Sequence, residues 1–160
     1  MPSISPPLQV PHLKQEMDHS CLAAAARMVL DFNGLQIAES KLRSLLKTKP
    51  AGTNPLNVIN LKELGVEPRM LFSGLDELRS FLSQGKPCIA LLWTGELSYW
   101  DSSKYFDYLH SVVAVGYDGQ NVLVNDPAFP NHPIKISYEE FSEAWSYSQQ
   151  LLILIEASNE

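Results

Sequence analysis

Two uninterrupted apolar runs in the second half of the chain constrain its fold more than any other feature. Residues 87–93 (Pro-Cys-Ile-Ala-Leu-Leu-Trp) and 110–117 (His-Ser-Val-Val-Ala-Val-Gly-Tyr) both have the length of a strand. Such runs predict strands that are buried in the middle of a sheet. Asp118-Gly119 follows the second run and is a strong hairpin signal. Residues 120–125, with their alternating valines, are therefore predicted to pair with residues 110–117.

The first half of the chain is predicted to be mainly helical. Strong helix formers fill residues 21–30, Asp18 and Ser20 are good N-cap types, and Gly34 supplies a stop. Periodicity and punctuation predict further helices over residues 38–47, 55–64, 75–84 and 138–145, and further strands over residues 66–72, 134–136 and 151–155. This segregation predicts the α+β class with a mainly antiparallel sheet. We expect a single domain over residues 1–160, whose proline-rich residues 1–12 form an extended N-terminal segment.

Composition excludes several classes of function. The net charge is −6 and no basic run is present, so nucleic acids and anionic membranes are poor partners. The longest apolar stretches, such as residues 151–155, are far too short to span a bilayer. The first residues lack the basic and apolar regions of a secretory signal. Two cysteines make neither a disulfide framework nor a zinc-site spacing. We therefore expect free thiols, a cytoplasmic location, and no metal or other cofactor.

Cys21 stands at the start of the first predicted helix. A thiol in that position feels the positive end of the helix dipole, which favours the nucleophilic thiolate. Free cysteines are also among the most buried residue types and often act as small apolar side chains. Placement alone therefore leaves both a reactive and a structural Cys21 open.

His110 and Asp126 are the second candidate pair. Each lies eight positions from Asp118 at the hairpin turn, so an antiparallel ladder would place them roughly opposite each other, within hydrogen-bonding reach. A cysteine hydrolase needs such a base and a group that orients it. Taken singly, His110 could be a core histidine and Asp126 a turn residue before Pro127. Gln15 lies six positions before Cys21, and its amide could form an oxyanion hole with the Cys21 backbone N–H.

These residues carry a family resemblance. Gln15-x5-Cys21 before a helix, His110-Ser111-Val112-Val113 opening a strand, and Val124-Asn125-Asp126-Pro127 resemble the papain-like cysteine peptidases. Within these, the pattern is similar to the bacteriocin-processing, double-glycine-leader peptidases, family thirty-nine of the cysteine peptidases, and their stand-alone relatives. The resemblance implies a papain-like fold and a peptide or protein substrate. It also implies that Cys21 is the nucleophile, His110 the general base and acid, Asp126 the orienting carboxylate and Gln15 the oxyanion donor.

Three further residues are predicted to contact the substrate. Leu22 stands where the family usually has glycine, and it is expected to narrow the cleft beside the thiol. Tyr99 and Trp100 lie in a polar loop before His110, and their aromatic rings could line a peptide-binding groove. Cys88, inside an apolar strand, is expected to be structural.

Three functions fit the same residues. The first is a cysteine peptidase or amide hydrolase that acts through a thioester. The second is an acyltransferase that passes the same acyl group to an amine or thiol. The third is a peptide-binding module that keeps the fold without catalysis. Leu22 suggests this alternative, because it stands beside the thiol where the family usually has glycine. A metal site built from Cys21, His110 and Asp126 would lack a fourth ligand.

Overall fold

The computed structural model describes residues 6–103 and 106–158, and its elements follow the predicted order. The helices are α1 (Cys21–Phe32), α2 (Glu39–Leu45), a 3₁₀ helix (Pro55–Leu64), α3 (Leu75–Ser83), a 3₁₀ turn (Thr94–Glu96) and α4 (Tyr138–Ser146). The strands are β1 (Val66–Phe72), β2 (Cys88–Trp93), β3 (Leu109–Tyr117), β4 (Asn121–Asn125), β5 (Ile134–Ser137) and β6 (Leu151–Ala157). The predicted α+β class is confirmed. Of the predicted N-terminal segment, residues 1–5 lie outside the described part, and residues 6–12 contain no helix or strand.

All six strands form one antiparallel sheet in the order β1-β6-β2-β3-β4-β5. β2 and β3 are interior strands and almost entirely buried, as their apolar runs predicted. β1 is an edge strand, which explains how it accommodates Pro68, a residue without a backbone donor. β6 is the last of the six strands along the chain, yet it lies between β1 and β2.

Helices cover both faces of the sheet. α1, α2 and the 3₁₀ helix pack on one face around Met28, Leu30 and Leu61. The other face is covered by α3 and α4, where Phe141 and Trp145 are fully buried. The helical first half therefore supplies only one of the two covering layers, because α3 and α4 are inserted among the strands in the sequence.

Most local signals act as predicted. The Asn54 side chain accepts a hydrogen bond from the Leu56 backbone N–H at 3.0 Å, and Gly65 ends the 3₁₀ helix with φ +81°. Ser137 Oγ accepts from the Glu140 N–H at 3.1 Å, which is half of a capping box. Ser20 occupies the N-cap position of α1, as its residue type indicated, but its hydroxyl makes no capping bond and instead contacts Met17 and Glu39.

Within residues 6–103 and 106–158, no helix combines the length and the apolar character needed to cross a membrane.

Candidate active site

Cys21 is the first residue of α1, so its sulfur lies at the positive end of the helix dipole. The small side chains Ala23, Ala25 and Ala26 are fully buried against the sheet and allow α1 to approach it closely. Cys21 is half-buried, and its thiol lies within interaction range of the His110 imidazole and of the backbone amide and hydroxyl of Ser111. The first helix thus brings the thiol to the start of β3.

The contact predicted between His110 and Asp126 is present. Both side chains are fully buried, and His110 Nε2 lies 2.6 Å from Asp126 Oδ1. Since Nε2 faces the carboxylate, Nδ1 is the ring nitrogen left for the thiol, and it also lies 3.2 Å from the Tyr108 hydroxyl. The Cys21 thiol, the His110 imidazole and the Asp126 carboxylate therefore lie together at the start of β3.

The register behind this contact differs from the predicted one. Val113 pairs with Asn125, so one further step along the ladder puts Asp126 opposite Val112 rather than opposite His110. A turn longer than Asp118-Gly119 produces the shift, and a bulge between Ala114 and Gly116 moves the register back by one residue. A diagonal neighbour two residues away on the same face is still within reach of a long side chain, so the contact survives.

The loop after β4 is held by the N-terminal segment. His12 Nε2 lies 2.8 Å from the Asp126 backbone carbonyl, and the Gln15 backbone N–H donates to the Pro127 carbonyl at 2.8 Å. Asn125 Nδ2 donates to the carbonyl of Val10. Residues before α1 therefore fix the backbone that carries the buried carboxylate.

The electrostatics of the site favour a thiolate beside an imidazolium. Burial opposes ionisation of the Cys21 thiol, but attraction to His110 and hydrogen bonds from His110 and Ser111 outweigh it and lower its pKa. Burial also disfavours the imidazolium, yet the charges of Asp126 and Cys21 raise the pKa of His110 to about 10. Burial opposes ionisation of Asp126 as well, but His110 and two other donors keep the pKa of its carboxyl below its usual value.

Gln15 lies in the segment before Cys21, and its amide is bound to that segment. Its Nε2 donates to the carbonyls of Met17 and Asp18, at 2.8 and 3.2 Å, and its Oε1 is buried without a partner. The residue lines a cavity of about 540 Å³ with Trp100, Tyr108 and Phe129. The oxyanion role predicted for Gln15 therefore requires its amide to turn towards Cys21.

Tyr99 and Trp100 occupy different places. Trp100 lines the same cavity as Gln15 and packs edge-on against the His110 ring, with centroids 4.8 Å apart. The Tyr99 hydroxyl instead donates to Asp126 Oδ2 at 2.8 Å, behind the imidazole. Sequence reasoning grouped the two residues because they are adjacent in one polar loop, although successive side chains in a loop need not face the same way.

Leu22 belongs mainly to the core. It is 3% exposed within the layer under α1, and it also lines a second cavity of about 630 Å³ that contains Cys21, Leu91 and Leu109. The two cavities share Asp18 and Tyr108 and together flank the thiol. Ser111 lines this second cavity and was missed in the sequence, although it is a polar residue inside an apolar strand, next to His110.

Glu39 was also missed, and it organises the residues before Cys21. Its carboxylate is fully buried. Oε1 accepts from the Glu16 backbone N–H at 2.9 Å and from Ser20 Oγ at 3.2 Å, while Oε2 accepts from Arg43 Nε at 2.8 Å. No sequence motif marks Glu39, because its partners are up to 23 residues away.

The other cysteine lies outside the site. Cys88 is fully buried in β2, and burial raises the pKa of its thiol far above the usual value. In the described part of the chain, no three His, Cys, Asp or Glu side chains are grouped as metal ligands.

A family model and several solved structures are similar to this chain. The family model of the peptidase C39 family matches residues 9–160. The peptidase domain of Streptococcus ComA, a bi-functional ABC transporter involved in a quorum sensing pathway, is 21% identical, with 94% of this chain and 100% of that chain covered and a TM-score of 0.76. A double glycine motif protease from an AMS/PCAT transporter, in complex with the leader peptide, is 24% identical, with 95% and 94% covered and a TM-score of 0.73. The peptidase domain of Streptococcus mutans ComA is 19% identical, with 90% and 97% covered and a TM-score of 0.59. No curated protein matches the chain.

Proposed function

This chain belongs to the peptidase C39 family of cysteine peptidases, and we propose that it cleaves peptide bonds with Cys21, His110 and Asp126. One observation carries the assignment of residues. The Cys21 thiol lies beside a buried imidazole that lowers the thiol pKa, and Nε2 of that imidazole lies 2.6 Å from the Asp126 carboxylate. A nucleophile, a base and a group that orients the base are the parts that acyl transfer through a thioester requires.

The reaction proceeds in two halves. The Cys21 thiolate attacks the carbonyl carbon of the scissile peptide bond. The C–N bond of that peptide then breaks as the His110 imidazolium gives its proton to the leaving amine. A thioester remains on Cys21. His110, now neutral, takes a proton from water, the resulting hydroxide displaces the sulfur, and a carboxylic acid leaves as the thiolate and imidazolium are restored. Asp126 holds the imidazole in the tautomer and orientation that both halves need.

The negative oxygen formed in each half needs donors. We propose the Cys21 backbone N–H, at the start of α1, and Gln15 Nε2 once it exchanges its bonds to the Met17 and Asp18 carbonyls for the oxyanion. Loss of one such donor costs about 2.7–4 kcal/mol of transition-state stabilisation, so Gln15→Ala should reduce kcat by about a hundredfold or more.

The substrate is proposed to be a peptide that lies across the two cavities beside Cys21. Leu22 lines one of them and Trp100 the other. A related protease has been solved in complex with a leader peptide, which supports a peptide ligand here. Both cysteines are free, which is compatible with work in a reducing compartment such as the cytoplasm.

A peptide mixture of known composition tests the proposal. Wild-type protein and the control Cys88→Ala should generate new peptide termini, detected by mass spectrometry, whereas Cys21→Ala should generate none. The same termini from Cys21→Ala would contradict the proposed nucleophile. Addition of hydroxylamine or a free thiol separates hydrolysis from acyl transfer, since transfer yields an adduct of the acceptor in place of the free acid.

A second measurement needs no substrate. Iodoacetamide should alkylate Cys21 rapidly at pH 7, because the thiol pKa is lowered by His110, and His110→Ala should slow that reaction. If wild type and His110→Ala are both alkylated with the pH dependence of an ordinary thiol of pKa about 8.5, the result would favour a peptide-binding module without catalysis.

A further inference from the structure

The Asp126 carboxylate is bound on both of its oxygens. Oδ1 lies 2.6 Å from His110 Nε2 and accepts from the Ala128 backbone N–H at 2.8 Å. Oδ2 accepts from the Tyr99 hydroxyl at 2.8 Å, and among the described residues no other donor reaches it. Because Asp126 is fully buried, water cannot replace a lost donor at low cost.

The segment that carries Tyr99 is fastened at several points. The Ser98 backbone N–H donates to Glu140 of α4 at 2.6 Å, and Leu97 is buried in the core. The Tyr99 ring packs edge-on against Phe129, with centroids 5.3 Å apart. The next residue, Trp100, lies against the His110 ring. Two consecutive residues thus contact the base and the carboxylate from one side.

We propose that Tyr99 is a positioning residue, whose hydroxyl holds the Asp126 carboxylate in the orientation that presents Oδ1 to His110. This inference rests on the proposed function of the Cys21, His110 and Asp126 set. A rotation of the carboxylate about its Cβ–Cγ bond would weaken the bond to His110, and the Tyr99 hydroxyl opposes that rotation through Oδ2. Tyr99 acts through Asp126 and does not touch the substrate.

The charge state of Tyr99 suits this role. Burial and the neighbouring Asp126 charge raise the pKa of the Tyr99 phenol, so it remains a donor across the working pH range. Among the described residues, the titratable groups that face Asp126 are Tyr99, His110, Tyr108 and, at the backbone carbonyl, His12. Loss of the Tyr99 hydrogen bond removes one of the causes that keep the Asp126 pKa low, so its pKa should rise.

Tyr99→Phe tests the inference, with Tyr147→Phe as the matched control. The Tyr147 hydroxyl also donates to a carboxylate, that of Glu96 at 3.0 Å, but on an exposed surface. With a peptide found by the experiment above, Tyr99→Phe should lower kcat by about ten- to 160-fold with KM unchanged, the loss expected for one hydrogen bond to a charged group. The acid limb of its pH–rate profile should move to higher pH, and the control should match wild type.

Alkylation of Cys21 gives a readout without a substrate. In Tyr99→Phe the midpoint of the iodoacetamide profile should also move to higher pH, because a weaker Asp126–His110 bond stabilises the imidazolium less. If Tyr99→Phe does not fold, fluorotyrosine at position 99 keeps the ring and donates a stronger hydrogen bond. That protein should show the opposite shift.

The outcomes separate the two proposals. If Cys21→Ala is inactive while Tyr99→Phe keeps the kcat and pH profile of Tyr147→Phe, the positioning role is refuted and the proposed function stands. A change confined to KM would likewise refute it, since that result indicates substrate contact. Cleavage by Cys21→Ala would refute the proposed function itself.

Discussion

Replacement of Glu39 by glutamine should destabilise the protein through the segment that precedes the candidate nucleophile. The carboxylate is fully buried and accepts three hydrogen bonds, from the Glu16 amide, the Ser20 hydroxyl and the Arg43 guanidinium. Glutamine can retain the two bonds at Oε1, but its Nε2 cannot accept from Arg43. The lost bond involves two charged groups, so Glu39→Gln should lower the free energy of unfolding by about 1.5–3 kcal/mol.

Glu39→Ala removes all three bonds and leaves the Glu16 backbone N–H and the Arg43 Nε–H without the carboxylate that they contact. Breaking a buried pair by deleting one member costs about 3–5 kcal/mol. The matched control is Glu16→Gln, because Glu16 pairs with the same Arg43 at 3.1 Å while 48% of its side chain is exposed. An exposed pair contributes only about 0–1 kcal/mol.

Urea denaturation at pH 7, followed by circular dichroism, measures these differences. The expected order of stability is wild type, then Glu16→Gln, then Glu39→Gln, then Glu39→Ala. Equal midpoints and slopes for Glu16→Gln and Glu39→Gln would refute the reasoning, since burial would then make no difference to the carboxylate.

Four shorter predictions follow. The rate of peptide hydrolysis should rise at a pH below the usual thiol pKa of about 8.5, because the pKa of Cys21 is lowered, and it should decline near pH 10, where His110 loses its proton. A rate that still increases at pH 11 would contradict the raised pKa of His110. Ser111→Ala should move the midpoint of Cys21 alkylation to higher pH, because a donor to the thiolate is lost. In the native protein iodoacetamide should label Cys21 and leave Cys88 unmodified until urea is added, as peptide mapping can show. Leu22→Ala should lower the unfolding free energy by about 2–5 kcal/mol in urea titrations, and an unchanged midpoint would show that Leu22 lies outside the core.

Sequence patterns predicted the elements well because most of them depend on local chemistry. The Asn54-Pro55 start, the Gly65 stop and the Ser137 cap all lie within a few residues of the helix that they bound. Apolar runs marked β2 and β3 because both faces of the sheet are covered, so the side chains on both sides of an interior strand are buried and apolar. The contact of His110 with Asp126 also followed from one hairpin, although a turn longer than predicted altered its register.

The supporting contacts could not be predicted because they depend on the tertiary fold. Tyr99 meets Asp126 across 27 residues and Glu39 meets Glu16 across 23, and no periodicity connects residues so far apart. Ser20 has the residue type of a helix cap, but its hydroxyl donates to the buried Glu39 carboxylate and makes no capping bond to α1. The bulge at Val115 likewise has a distant partner, because the Val115 carbonyl accepts from the Leu8 N–H of the N-terminal segment.

The place of β6 has a consequence for synthesis. Since β6 fills the gap between β1 and β2, a nascent chain that has been translated only as far as β5 holds two unfilled strand edges. By then the residues that supply the thiol, imidazole and carboxylate have all been synthesised, but the sheet that aligns them is still open. Truncated products that end before residue 151 should therefore lack peptidase activity and be prone to aggregation, so that only chains containing β6 become active.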